Sequence, residues 1–149
     1  MTATPELTVE RADADTVGRV ERLLEESGLP SSDVRDAPER FRLAVAEGDL
    51  VAVGGLRVEG SDALLRSLAV PEAYRGEGYG SALCAHLERA ARREGVERLY
   101  LLTTTAAAFF RARGYDPVER ERVPPSIRAT SQFADLCPAT ATCLVRPLD

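Results

Sequence analysis

A glycine-rich run near the middle of the chain constrains its fold more than any other feature. Residues 75–80 read R-G-E-G-Y-G and stand between a strand-like apolar segment and a segment with helical apolar spacing. The first backbone N–H groups of a helix have no partner inside the helix, and the helix dipole is positive at that end. Glycines let a ligand approach the backbone closely. The pattern therefore predicts a phosphate or pyrophosphate site at a strand–turn–helix junction.

Two familiar glycine loops do not match this run. A P-loop requires a lysine before Ser or Thr after its last glycine, and all 19 basic residues of this chain are arginines. A dinucleotide-binding loop reads G-x-G-x-x-G, and an acidic residue closes the following strand, whereas the next predicted strand here ends in threonines. A glycine turn without a ligand is the remaining alternative, and the flanking strand and helix disfavour it.

The composition predicts a single globular domain, residues 1–149, with 44% hydrophobic residues to form its core. The net charge of −5 and the lack of a basic block argue against a nucleic-acid partner. No apolar run is long enough for a membrane span, and the N-terminus lacks a signal sequence, which predicts a cytoplasmic protein. Cys84, Cys137 and Cys143 form no C-x-x-C pair, so we expect free thiols and no metal site.

Hydrophobic periodicity predicts short strands and helices along the whole chain. Strands are expected at residues 7–11, 41–46, 50–58, 63–70, 99–102, 115–122 and 140–146. Helices are expected at residues 14–27, from the glycine run to residue 94, at residues 106–113, and as one turn within residues 126–133. Asp13 or Asp15 is expected to cap the first helix.

The glycine run and its surroundings resemble the GCN5-related N-acetyltransferase (GNAT) superfamily. The acetyl-coenzyme A loop of that family has the form Q/R-x-x-G-x-G/A, with a proline about four residues before it, and residues 71–80 fit this form. The order of predicted elements is also that of the family. The resemblance implies an α/β (α+β) fold in which helices flank a mixed, mostly antiparallel sheet. It also implies that the sheet is splayed between the strand before the loop and the next one.

Further segments narrow the resemblance. Residues 101–106 (LLTTTA), followed by Phe109-Phe110 and Gly114-Tyr115, are similar to the acetyltransferase domain of N-acetylglutamate synthases. A closer similarity is to small N-acetyltransferases of arsenic-resistance operons, in the LLRS strand at residues 64–67, the triple threonine and the tail at residues 130–138. The resemblance implies an enzyme that moves acetyl from acetyl-CoA, its co-substrate, to the amine of an amino acid or amino-acid-like compound. Organoarsenical or phosphinic glutamate analogues are one such class.

The resemblance also implies which residues hold the coenzyme. Backbone amides of residues 76–81 should bind the diphosphate, with a side-chain contact from Arg75. The backbones of Leu68 and Val70 should pair with the pantetheine arm, and the Val70 N–H should polarise the thioester carbonyl. The expected coenzyme-binding residues are Leu68, Ala69, Val70, Arg75, Gly76, Glu77, Gly78, Tyr79, Gly80 and Ser81.

Arg66 and a run of threonines are the candidates for binding the acceptor. In a regular strand Arg66 shares a face with Leu68, and a guanidinium binds a carboxylate through two hydrogen bonds. A surface ion pair is the alternative role for Arg66. Thr103, Thr104 and Thr105 stand between a strand and a short helix, where we expect one of them to cap that helix.

The proton carriers are not assigned from the sequence. Phe110 stands where many relatives have a tyrosine near the coenzyme sulfur, and it cannot donate a proton. Tyr115 is the remaining tyrosine candidate for the general acid, with core packing as its alternative. Arg57 replaces an expected glutamate, which leaves Glu59 and His86 as possible bases.

Two alternative functions stay open at this point. One is an N-acetyltransferase for peptide or protein N-termini or for polyamines. The other is a non-catalytic acyl-CoA sensor, because the usual proton donor is absent. In each case the expected partner is a small molecule or an amine, without nucleic acid or membrane, and the resemblance allows a homodimer.

Overall fold

The computed structural model describes residues 7–29, 31–104, 106–130 and 141–148, which form a seven-stranded sheet with four α-helices. The strands are β1 (Thr8–Arg11), β2 (Phe41–Ala46), β3 (Asp49–Glu59), β4 (Asp62–Ala69), β5 (Arg98–Thr103), β6 (Asp116–Pro117) and β7 (Thr142–Pro147). The helices are α1 (Val17–Glu26), α2 (Tyr79–Arg93), α3 (Ala107–Ala112) and α4 (Pro125–Arg128). Short 3-10 turns lie at Val34–Asp36, Pro38–Arg40, Glu72–Tyr74 and Arg120–Arg122.

The strands are ordered β1-β2-β3-β4-β5-β7-β6 across the sheet. β4 and β5 pair in parallel, from Asp62–Arg98 to Leu64–Tyr100. The pairs β1–β2, β2–β3, β5–β7 and β6–β7 are antiparallel. The expected mixed, mostly antiparallel sheet flanked by helices is therefore confirmed.

The contacts group the described residues into two compact units. The first consists of the described parts of Met1–Leu56 and Ser67–Leu87, and the second of Arg57–Arg66 and Glu88–Asp149. In the first unit, α1 has an apolar face that packs on β2, β3 and the end of β4. The buried residues of this core are Ala12, Val17, Val20, Leu23, Leu24, Val34, Phe41, Leu43, Val53 and Ala69.

The second unit has a core of its own. Leu64 on β4 and Tyr100 on β5 pack with Val123, Ile127 and Cys143. Burial of the Tyr100 ring removes its hydroxyl from water, and this desolvation raises the pKa of Tyr100. Within this unit the β5–β7 ladder runs unbroken from Arg98–Pro147 to Thr103–Thr142.

A glycine lets α2 approach the sheet of the first unit. A Cβ atom at Gly54 on β3 would lie 3.0 Å from Leu87 Cδ1 and 3.4 Å from Leu83 Cδ2. It would also lie 3.5 Å from Leu68 Cδ1. The helix that follows the glycine run is therefore seated directly against the backbone of β3.

The start of α1 differs from its expected position for a local reason. The Asp13 carboxylate accepts hydrogen bonds from the N–H groups of Asp15 (2.9 Å) and Thr16 (3.0 Å). These bonds hold residues 13–16 in a turn, so the helix begins at Val17. Neither of the two expected residues caps α1, because its N-cap residue is Thr16, which makes no side-chain capping bond; Asp13 instead holds the turn before the helix.

The expected strand at residues 115–122 is wrong over most of its length. β6 spans only Asp116–Pro117 and is followed by one more bond to β7, from the Val118 N–H to the Cys143 carbonyl at 3.0 Å, before the 3-10 segment Arg120–Arg122. Pro117 has no N–H to donate, which prevents a continuous ladder. The helical turn expected within residues 126–133 is α4 (Pro125–Arg128), and residues 131–133 lie outside the described chain.

Candidate active site

The glycine run forms a strand–turn–helix junction in the first unit, as expected. β4 ends at Ala69, the 3-10 turn Glu72–Tyr74 follows, and α2 begins at Tyr79. Gly76 and Gly78 have φ angles of +82° and +88°, a left-handed conformation that side chains disfavour. These two glycines are therefore required by the path of the backbone.

Backbone N–H groups at the start of α2 precede its first helical hydrogen bond. The Ala82 N–H bonds to the Gly78 carbonyl at 3.0 Å, which closes the first helical turn. The N–H groups of Tyr79 and Gly80 precede that bond and have no acceptor within the helix. Together with the positive end of the dipole, they give this turn the properties of an anion-binding site.

The third glycine has a different role from the first two. A Cβ atom at Gly80 would lie 3.3 Å from Val70 Cγ2, tighter than ordinary van der Waals contact. Gly80 therefore lets the first turn of α2 pack against the residue that follows β4. Arg75 fixes the same residue from the loop, because its Nε donates to the Val70 carbonyl at 3.0 Å.

Tyr74 supports the loop from its other side. Its hydroxyl donates to Asp49 Oδ2 at 2.8 Å, and its ring meets Tyr79 edge-on, with the centroids 6.1 Å apart. The hydrogen bond to the Asp49 carboxylate is the main reason that the pKa of Tyr74 is raised, since ionisation would place two negative charges together.

The regular alternation assumed for β4 is interrupted at Ser67. This residue has φ +59°, which is unusual for a non-glycine residue inside a strand. Before it, Leu64 packs in the core of the second unit, and after it, Leu68 lies beside Gly54 and α2 in the first unit. The expectation that Arg66 and Leu68 share a face fails here, because the left-handed residue between them shifts the register of facing by one.

The remaining acceptor candidates lie in the second unit. The Arg66 side chain is buried, with a residue exposure of 9%. The Thr103 hydroxyl accepts a hydrogen bond from the Ala106 N–H at 2.9 Å, which closes the turn before α3. Ala106 is the N-cap residue of α3, so Thr103 does not cap the helix as expected. Thr104 is exposed, and Thr105 lies outside the described residues.

Tyr115 is fully buried and already hydrogen-bonded. Its hydroxyl donates to Glu88 Oε2 at 2.8 Å. Glu88 Oε1 accepts from Arg113 Nη2 at 2.7 Å and from Arg146 Nη1 at 3.0 Å. Glu88, itself only 3% exposed, thus joins α2 to three residues near α3 and on β7. This environment favours the packing role for Tyr115 over the acid role.

The sequence reasoning missed this glutamate cluster. A signal was present, because Glu88 falls in the buried stripe of α2 with Leu83, Cys84, Leu87 and Ala91. A charged residue in such a stripe predicts a buried ionic partner. The second missed feature, the left-handed Ser67, has no comparable sequence signal.

The candidates for a general base are differently placed. Glu59 Oε1 accepts from Arg57 Nε at 2.8 Å, and both side chains are about one-third exposed. His86 is half-buried on α2. Neither position identifies a base.

Cys84 and Cys143 are both buried, while Cys137 lies outside the described residues. Burial raises the pKa of the Cys143 thiol to about 11, and the charge of Arg120 opposes that shift in part. Within the described part of the chain, no three His, Cys, Asp or Glu side chains converge as metal ligands. No helix there is long and apolar enough to cross a membrane.

Known proteins are similar to this chain both in sequence and in fold. The family model for the acetyltransferase (GNAT) family matches residues 7–115. An amino-acid acetyltransferase of Pseudomonas fluorescens is 37% identical over 127 residues, which cover 80% of this chain but only 29% of that protein. The chain thus spans less than a third of that relative's length.

Two solved structures have the same fold at lower sequence identity. N-acetylglutamate synthase from Neisseria gonorrhoeae, complexed with coenzyme A and N-acetylglutamate, has a TM-score of 0.84 at 23% identity. The match covers 99% of this chain and 36% of that one. Rv2747 from Mycobacterium tuberculosis, in complex with coenzyme A, has a TM-score of 0.80 at 22% identity. That match covers 95% of this chain and 99% of Rv2747. With the family match over residues 7–115, the chain belongs to the GNAT acetyltransferase family.

Proposed function

We propose that the chain transfers acetyl from acetyl-CoA to the amine of an amino acid or amino-acid-like compound. The observation that carries this proposal is the loop in which Gly76 and Gly78 turn the backbone into the start of α2. The family and its relatives supply the reaction class, and the amino-acid acetyltransferase similarity supplies the acceptor class.

The residues of the loop fit the diphosphate of the coenzyme. Backbone N–H groups of residues 76–81 are the donors, and the left-handed glycines keep side chains out of their way. Each hydrogen bond to a charged group contributes about 1.5–3 kcal/mol. Glu77 takes part through its backbone only, since its side chain carries a negative charge.

Acetyl-CoA supplies an activated acetyl thioester to this site. The acceptor nitrogen attacks the acetyl carbon, the carbon–sulfur bond breaks, and the amine loses a proton while the thiolate gains one. The Val70 N–H is the proposed donor to the carbonyl oxygen, which gains negative charge in the transition state. Removing such a donor costs about 10²–10³ in kcat in other enzymes.

The acceptor is proposed to carry a carboxylate that Arg66 binds. The guanidinium is buried, so an ion pair with it is less screened than one at the surface. Thr103, Thr104 and Thr105 are proposed to contact the acceptor through hydroxyl and N–H groups. For Thr103 this contact would compete with its bond to Ala106.

Water is the proposed source of the proton for the leaving thiolate. Phe110 has no hydroxyl, and the Tyr115 hydroxyl donates to Glu88. A small-molecule amine is the proposed partner, and glutamate analogues with phosphinic or arsenical groups are the proposed finer substrate class. The homodimer, the cytoplasmic location and the role in arsenic resistance stay predictions.

A matched pair of glycine variants tests the donor site. Gly76 and Gly95 have φ angles of +82° and +85°, and a Cβ at either would meet no atom within 4 Å. Gly76 precedes α2, whereas Gly95 follows it. Acetyl-CoA at one hundred times its Kd should raise the Tm of wild type by about 5–10 °C.

We expect Gly95→Asp to keep that rise and Gly76→Asp to lose it. Both variants strain the backbone equally, but only Gly76→Asp places a carboxylate beside the proposed diphosphate site. Differential scanning fluorimetry with and without acetyl-CoA measures both. An equal ligand-induced rise in the two variants would overturn the loop assignment.

A thiol-release assay identifies the acceptor class. The panel contains the common amino acids, phosphinothricin, arsinothricin, spermidine and a peptide with a free N-terminus. Turnover with amino acids supports the proposal, and turnover confined to spermidine or peptide replaces it with the alternative enzyme. Coenzyme binding without turnover on any amine favours the sensor.

A further inference from the structure

The side chain of Arg75 contacts the backbone at the end of β4. Arg75 is exposed, and its Nε donates to the Val70 carbonyl at 3.0 Å. The bond comes from Nε, the nitrogen nearest the backbone, so the side chain folds back over its own loop. With its Nε–H donated to this carbonyl, Arg75 cannot use the side-on pair of Nε and Nη for two hydrogen bonds to a phosphate.

Two contacts hold Val70 in place, and backbone bonds close the turn that follows it. Its carbonyl accepts from Arg75, and its Cγ2 lies against the start of α2 where Gly80 has no side chain. The turn between them is closed by backbone bonds from Tyr74 N–H to Pro71 (2.9 Å) and from Arg75 N–H to Glu72 (3.3 Å). Val70 is thus fixed on both sides by the loop that it precedes.

We propose that Arg75 is a positioning residue for the Val70 N–H and not a ligand of the coenzyme phosphates. The inference deepens the proposed function and rests on it. By anchoring the carbonyl of Val70, Arg75 restricts rotation of the residue that bears the polarising N–H. A misplacement of about 1 Å at such a group can cost about 100-fold in rate.

Two substitutions separate hydrogen bonding from charge. In glutamine, Nε2 lies as many bonds from Cα as Nε does in arginine, so Arg75→Gln keeps a donor but loses the charge. Arg75→Met keeps a similar length and loses both. Arg93→Ala is the control, because it removes an exposed arginine at the other end of α2, about 21 Å along the helix axis from Tyr79.

The probe is acetyl-CoA labelled with ¹³C at the thioester carbonyl. Calorimetry gives its Kd, and difference infrared spectroscopy gives the stretching frequency of the bound carbonyl, which a hydrogen bond lowers. We expect wild type, Arg75→Gln and Arg93→Ala to share one lowered frequency. Arg75→Met should lose most of that shift while its Kd stays within about threefold. With an acceptor from the screen, its kcat should fall about 10–100-fold.

Two results would overturn the proposal. An equal loss of acetyl-CoA affinity in Arg75→Gln and Arg75→Met would show a charge contact with phosphate. A wild-type carbonyl frequency in Arg75→Met would show that the side chain does not position the donor. The Tm of each unliganded variant confirms that it is folded. If the wild-type chain itself bound no acetyl-CoA, the proposed function would be wrong. If it bound acetyl-CoA and either result above were found, only the positioning role of Arg75 would be wrong.

Discussion

Tyr115 illustrates how a side chain with catalytic chemistry can be committed to packing. It is fully buried, its ring meets Phe110 edge-on, and its hydroxyl donates to Glu88. A general acid must reach the reacting atoms, and a phenol bonded to a buried carboxylate has its proton directed elsewhere. At the residue scale, the geometry therefore assigns Tyr115 to stability.

We expect Tyr115→Phe to lower the free energy of unfolding by about 1–3 kcal/mol, because it removes one hydrogen bond to a charged group. Its kcat with the acceptor from the screen should stay within about twofold of wild type, with the same alkaline limb in the pH profile. Urea unfolding and steady-state kinetics measure these quantities. A fall in kcat of about 100-fold at unchanged stability would restore the acid role.

Single residues were predictable where a local rule governs them. The glycines of the loop follow from backbone sterics, which act over a few residues, and the Thr103 hydroxyl bonds the backbone of the turn that follows it. The facing of Arg66 was not predictable, because serine gives no indication that Ser67 is left-handed. The partners of Glu88 come from residues 25 to 58 positions away, which only the tertiary fold brings together.

At the scale of elements, α2 is held both where it begins and along its buried face. Gly80 packs on Val70 at the first turn, and Glu88 lies about two turns further on among Tyr115, Arg113 and Arg146. The Glu88 side chain is 4% exposed and those of Arg113 and Arg146 are 18% and 27% exposed. Loss of its charge would leave two largely desolvated arginines without this counter-ion.

We expect Glu88→Gln to lower the free energy of unfolding by about 2–4 kcal/mol, since breaking a buried ion pair strands its partner charges. Glu21→Gln is the matched control. Glu21 also pairs with an arginine, Arg35, at 2.7 Å, but the side chain of Arg35 is 64% exposed. The control should lose about 0–1 kcal/mol. Equal losses of unfolding free energy for the two variants in urea would contradict the role of Glu88 as the buried counter-ion of these arginines.

Helices and strands with regularly spaced apolar residues were predictable from the sequence. Strands whose extent depends on pairing with a neighbouring strand were not. α2 and β5 follow their expected bounds within a few residues, because each buries a regular face or run. The segment after Tyr115 has strand-like composition, but Pro117 and the pairing available on β7 limit it to Asp116–Pro117. The order of strands required the family resemblance, since strand composition does not specify neighbours.

At the scale of the whole molecule, one buried thiol links stability to alkaline pH. Burial raises the pKa of Cys143 from its ordinary 9.0 to about 11. The unfolded chain therefore loses the thiol proton at lower pH than the folded chain does. Stability from this source is complete below pH 9 and is lost as the pH rises toward 11.

We expect the free energy of unfolding to fall by about 2 kcal/mol between pH 9 and pH 11 because of Cys143. Cys143→Ala should be less stable at pH 7 but should show a shallower loss over this range. Part of the loss should persist, since burial also raises the pKa of Tyr100. Urea unfolding with a reductant present measures both slopes, and parallel slopes would refute the assignment.

The close packing of α2 against Gly54 restricts which side chains relatives of this chain can have at that position. Even a methyl group there would need the tip of Leu87 to move, because the two would stand 3.0 Å apart. A substitution at position 54 is therefore expected to cost less where the side chain at position 87 is smaller. The two sites should therefore change together, although 32 residues separate them along the chain.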